Sequence, residues 1–269
     1  MPELKSDTEA LTGRSDGHQR MKAILVLAAA VAFVTAPWLT AGFGGFAPDL
    51  FPIPQDRPPV QPAGYAFAIW GPIYLGLILH AGFGLLARAE DRGWDRGRWP
   101  LILSLAIGAG WIAVANANAL LASVMIWVML FGAVAALALT GPARAAGSTA
   151  GAWASGTPDR WVGQLPLGVY AGWLTAASWV AIGFLLGGYG VLSPVWAAAV
   201  SVPLAVATAV AVQLWLRRAP EYGLTVIWAL VAVIVANWAT AWGLVLLGLL
   251  GIAAMAATLA AVLRAPSTG

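Results

Sequence analysis

Cysteine is absent from the 269-residue chain. Disulfides, thiolate metal sites and cysteine nucleophiles are therefore excluded. Charge is nearly as scarce: Asp, Glu, Lys and Arg make up 9% of the residues, against about 25% in a soluble domain. No soluble core could hide a chain that is 61% hydrophobic, so lipid must be the solvent. The net charge of +3 would suggest nucleic acid only if the cations shared one polar face. They are instead spread over short loops. HExxH, DxD-type, GxSxG, P-loop and Rossmann patterns find no credible match. Gly187-Gly188-Tyr189-Gly190 is glycine-rich, but no basic residue accompanies it, which argues against a phosphate cradle.

What the chain has in abundance is uncharged sequence. Such runs cover residues 23–48, 58–87, 99–143, 161–216 and 222–263. A helix crosses hydrocarbon in about 20 residues. The last three runs are about twice that length or more, so each reads as a helical hairpin. Turn signals lie within them at Asn116 and Asn118, at Gly187 to Pro194, and at Asn237 to Gly243. The expectation is an all-α polytopic bundle of about eight transmembrane helices. The run beginning at residue 23 is too long for a signal peptide core and lacks a cleavage pattern, so it reads as a retained first span. Polar residues 1–21 read as a disordered tail, and 265–269 as a second, short one. Of the 14 Lys and Arg, all but Arg57 fall on one side of this topology. The positive-inside rule makes that side cytoplasmic, with both termini on it and a bacterial inner membrane as the location.

Ionisable groups inside the spans mark function by default, and His80 is the only one expected there. There is no intramembrane Lys for a retinal Schiff base and no carboxylate for a proton or sodium pump. A membrane enzyme would need a general acid or base, and only His80 and the tyrosines are available. No catalytic constellation, metal set or required cofactor is therefore expected. The functional reading of His80 is a haem or metal ligand. The structural reading is a neutral imidazole bonded to a neighbouring helix, and the lack of partner ligands favours it. Gln213, Asn116 and Asn118 read as interhelical or turn hydrogen bonds.

Aromatics remain. The chain has 15 tryptophans. Trp38, Trp94, Trp99, Trp161, Trp196, Trp215 and Trp242 fall at helix ends, where the interfacial belt explains them. Trp70, Trp111 and Trp173 fall deeper and should face protein or ligand. Phe67, Trp70 and Tyr74 share one face of helix 2, and Pro72 is expected to kink that helix beside Trp70. Tyr170, Trp173 and Ala177 repeat the spacing on helix 5. Beside them Gly168, Gly172 and Ala176 form a small-residue strip that can pack within the bundle or between protomers of a homodimer. Packing alone could explain either stripe; two matched stripes of polar-tipped rings suit a flat, largely apolar ligand better. Trp70 and Trp173 are the expected stacking groups. Tyr65, Tyr74 and Tyr170 are the expected hydrogen-bonding partners, with Phe67, Trp111 and Ala177 as further contacts.

At these residues the chain resembles the tryptophan-rich sensory protein, or translocator-protein, family (TspO/MBR). Pro62, Gly64, Tyr65, Phe67, Trp70, Ile73 and Tyr74 match its helix-2 pattern. Leu165, Pro166, Tyr170, Gly172, Trp173 and Ala177 match its helix-5 pattern. The proline-rich segment 52–62 resembles the family's lid-like first loop. One departure is that Asn118 is followed three residues later by Leu121, where the family often carries Trp. The resemblance implies a five-helix core over 22–187, followed by a three-helix extension over 188–264, as in a longer bacterial branch. It also implies binding of tetrapyrroles such as porphyrins, of sterols or of synthetic benzodiazepine-type ligands, linked to sensing, regulation or transport. The alternative reading is a multispan transporter or permease subunit for a small apolar solute. Expected partners are a hydrophobic small molecule and the lipid bilayer, with no nucleic acid.

Overall fold

Helix-forming sequence and its punctuation account for most of the architecture. The computed structural model describes residues 3–40, 43–141 and 157–264, with side chains described from residue 17 onward. The tail expected at 265–269 lies outside the described residues, as do residues 1 and 2 and the side chains of 3–16; of the disordered tail expected at 1–21, residues 3–21 are instead helical and continue into the first span. The helices are α1 (Glu3–Leu39), α2 (Trp70–Leu86), α3 (Arg92–Ala115), α4 (Ala119–Leu139), α5 (Leu165–Gly188), α6 (Pro194–Leu216), α7 (Pro220–Asn237) and α8 (Trp242–Arg264). All eight are long and apolar enough to cross a membrane.

Local chemistry sets their ends. The Asp91 carboxylate accepts from the N–H groups of Gly93 and Trp94 at 2.7 and 3.0 Å and starts α3. The Asn118 amide oxygen accepts from Leu121 N–H at 2.9 Å and starts α4. Gly190, at φ +71°, makes the turn after α5, and Pro194 opens α6 at its first position. Between α6 and α7 the chain turns through left-handed Arg217 and Ala219. Gln213 spans that turn, donating to Arg218 O at 2.8 Å and accepting from Gly223 N–H at 3.1 Å.

Pro72 does not kink the middle of a helix as expected. Residues Gly64–Ile69 form a 3₁₀ turn and α2 begins at Trp70, so Pro72 occupies the first helical turn. There its missing N–H forfeits no helical bond.

The helices close into two rings that share a wall. α1 packs on α2 and α3, α3 on α4, α4 on α5, and α2 returns to α5. α5 also packs on α6 and α7, and both of these pack on α8. A Cβ at Gly168 would meet Glu221, and one at Gly172 would run into the Tyr222 carbonyl. The small-residue strip therefore seats α7 against α5 within one chain.

The two ends of the bundle differ. One end carries the first loop, described over 43–63, and is called the loop face here. Phe46, Phe51 and Val60 are buried beneath it. Neutral bonds tie the loop down: Ile53 N–H to Gly188 O at 2.9 Å, Ala63 N–H to Ala232 O at 3.0 Å, and the Asn237 amide to Pro59 O at 2.8 Å. The opposite end, the terminal face, carries ion pairs between elements. Arg88 pairs with Asp159 at 2.7 Å and Arg160 with Glu221 at 2.6 Å, while Lys22 pairs with Asp95. Donating hydrogen bonds to the Asp159 carboxylate holds the Arg88 guanidinium above its usual pKa range.

Ionised groups thus enter the helices further than the charge-free runs implied. Arg98, inside α3, is buried and donates to the carbonyls of Gln19, Arg88 and Ala89. Trp94 is also not in the interfacial belt. It is 2% exposed, its indole N–H donates to Asp159 at 2.9 Å, and its ring stacks on His80 at 4.6 Å.

Candidate functional site: an uncharged aromatic cavity

The aromatic faces of α2 and α5 meet. Trp70 and Trp173 lie edge to face with ring centroids 6.2 Å apart and planes at 83°. Trp70 stacks on Tyr74 at 5.4 Å, one helical turn away on α2. Phe67, on the 3₁₀ turn before α2, places its ring 5.9 Å from Trp173. Such edge-to-face and offset contacts suit the ring quadrupoles.

Two cavities flank this cluster. One, of about 220 Å³, lies among α1, α2 and α3, lined by Phe33, Pro37, Trp70, Tyr74 and Ile112. The other, of about 70 Å³, lies around α5, where Trp173, Ala177, Val180 and Phe184 line it. Phe43, Phe67 and Trp111 line both and so form the partition between them. Phe43 sits 4.7 Å from Trp111, the tightest ring contact in that partition. Trp111 is fixed by its own N–H, which donates to Ala122 O at 2.9 Å.

The electrostatics are simple. Among the described residues, no Asp, Glu, Lys, Arg or His lines either cavity. The indole N–H groups of Trp70 and Trp173 and the Tyr74 hydroxyl have no protein partner among the described residues. These are donors that a neutral ligand could satisfy.

Six of the eight expected site residues therefore border the cavities: Phe67, Trp70, Tyr74, Trp111, Trp173 and Ala177. Two do not. Tyr65 is 43% exposed and packs edge-on against Trp228 of α7 at 5.4 Å. Tyr170 is fully buried behind the cavity, and its hydroxyl is 2.9 Å from Ser104 Oγ. His80 lines neither cavity. Its Nδ1–H donates to the carbonyls of Val162 and Gly163, both at 3.1 Å. Those carbonyls belong to the π-helical turn Asp159–Gln164 that leads into α5.

Sequence reasoning missed several walls. Phe33 of α1 and Phe43 and Phe46 of the first loop all face the cavities. The clue was available, since phenylalanines in a proline-rich loop have reason to be buried. Walls from α6 (Val202, Ala205) and α7 (Val226, Ala229, Val233) were also missed. These helices are apolar all round, so no periodicity marks their cavity side.

Together these features define a polytopic helical membrane protein with an uncharged aromatic cavity toward one end of its bundle. A family model described as TSPO-like protein matches residues 53–264. The chain belongs to that family. The match starts in the proline-rich loop and runs through α8, so it includes α6 and α7. Neither the curated proteins nor the solved structures gave a match.

Proposed function

We propose that this protein binds a flat or elongated hydrophobic ligand, tetrapyrrole- or sterol-like in shape, between α2 and α5. Binding would serve sensing, regulation or transport. The observation that carries this reading is the perpendicular Trp70–Trp173 pair, set between two cavities with both N–H groups unpaired among the described residues. A lining without cations favours a neutral ligand, because a buried carboxylate would lack a partner. The side rich in Lys and Arg is taken as cytoplasmic, which leaves the loop face and its cavity toward the outer leaflet.

Tryptophan quenching in nanodiscs tests this with protoporphyrin IX and its uncharged dimethyl ester as probes. Saturable quenching by the ester is expected, at affinity equal to or tighter than that of the diacid. The Trp70→Leu/Trp173→Leu double variant should weaken it about tenfold or more, in line with the loss of two ring contacts and two donors. Unchanged affinity in that variant would remove the site.

A further inference from the structure

α6 and α7 contribute more than a backing to α5. Val202 and Ala205 from one, and Val226, Ala229, Leu230 and Val233 from the other, wall the chamber that also holds Trp173. Within this apolar wall sits Ser201 of α6. It is 1% exposed, lines the chamber, and its hydroxyl has no hydrogen-bond partner among the described residues. Helical serines and threonines usually solve this problem by bonding the carbonyl four residues back. Ser123, Thr175, Thr225 and Thr258 do so here, at 2.7 to 2.9 Å. Ser201 does not.

A buried, unpaired hydroxyl carries a desolvation penalty that some group must relieve. A trapped water is a poor answer, since it needs about two to four polar partners. Among the described residues, the other polar side chains on this lining are Gln61, which donates to Gly44 O at 3.2 Å, Trp111 and Trp179, whose N–H groups go to Ala122 O and Thr208, and Trp173, whose unpaired N–H leaves at most one partner besides Ser201. A ligand atom is the better answer. The lining has no cation, so carboxylates and phosphates are excluded on charge. A hydrocarbon would leave the hydroxyl unpaired.

We infer that the α5–α6–α7 chamber is a subsite for the single hydroxyl or carbonyl end of an elongated, neutral, otherwise apolar ligand, with Ser201 as the residue that selects for that end. This rests on the binding reading above and adds to it the ligand's polar end and the part taken by α6 and α7.

The test uses the full chain in nanodiscs. All-trans-retinol serves as probe: it is slender and neutral, has one terminal hydroxyl, and accepts energy from tryptophan. Its deoxy hydrocarbon analogue is the control. Wild type should bind retinol about tenfold tighter than the analogue, the usual scale for one buried hydrogen bond. Ser201→Ala should lower retinol affinity about tenfold and leave the analogue unchanged. Ser201→Thr should restore part of the preference. Ala205→Leu, which fills the chamber from the same helix, should weaken both. Equal wild-type affinities, or retinol binding indifferent to Ser201→Ala, would overturn the subsite while leaving the Trp70/Trp173 site standing. Absence of saturable energy transfer to either probe, together with absence of quenching by the porphyrin ester, would overturn the binding reading itself and the subsite with it.

Discussion

Asp159 shows how much one buried carboxylate can organise. It accepts from Arg88 Nε and Nη2 at 2.8 and 2.7 Å and from Trp94 Nε1 at 2.9 Å. Asp159→Ala leaves an arginine and an indole without their acceptor. The expected loss is on the order of 2–3 kcal/mol, below the value for a fully buried pair because Arg88 is about one-third exposed. Thermal unfolding in detergent measures it, and Trp94→Phe should lose less, about 1 kcal/mol. The pH behaviour follows from the sign of the Arg88 shift. A cation with a raised folded pKa contributes its stability below its unfolded pKa and loses it only as pH passes the raised value. Alkaline assays up to about pH 10 should therefore leave the Arg88 contribution intact, since arginine stays protonated there. None of this was legible in the sequence. Trp94 lies beside a loop and reads as a belt residue, because its acceptor is 65 positions away. The same holds for His80, whose partners come from a π-helical turn that hydropathy does not reveal.

At the level of elements, the number of helices and most of their ends could be read from the chain. Charge-free runs, Asn118, Gly190, Pro194 and Asn237 mark boundaries that the structure keeps. Trp70 and Trp173 could be placed on matching faces because α2 and α5 carry aromatics at helical spacing. The partners of those faces could not be read, since a helix buried in apolar surroundings need not show an apolar stripe. α5 is the extreme case, packing against α2, α4, α6 and α7. Gly172 makes one of these contacts possible, because an added Cβ would strike the Tyr222 carbonyl, a backbone atom that cannot swing aside. Gly172→Leu is expected to overpack the α5–α7 seam and destabilise the protein by about 1–3 kcal/mol. Its melting temperature, compared with that of a leucine at open Gly110, separates this effect from a general intolerance of glycine replacement.

For the molecule as a whole, the two cavities and their partition matter most. At about 220 and 70 Å³ they fall short of the roughly 300–1,000 Å³ of a drug-sized pocket. Filling them with a large ligand requires the Phe43, Phe67 and Trp111 partition to yield. Phe43→Ala should join the chambers and tighten binding of the porphyrin ester several-fold in the same quenching titration. The loop bearing Phe43 is latched to α7 through Asn237. Asn237→Ala should raise amide exchange across residues 57–63, measured by mass spectrometry, with little change in α3 and α4.

Every ion pair between separate elements described here lies at the terminal face; at the loop face only the exposed neighbours Asp56 and Arg57 approach each other. A bundle riveted by ion pairs at one rim and tied by neutral hydrogen bonds at the other should yield first at the second. Occupancy would then turn a cylinder into a taper, displacing lipid from a single leaflet. Affinity for a bulky guest should accordingly follow how tightly that leaflet is packed, weakening as acyl chains are made more saturated.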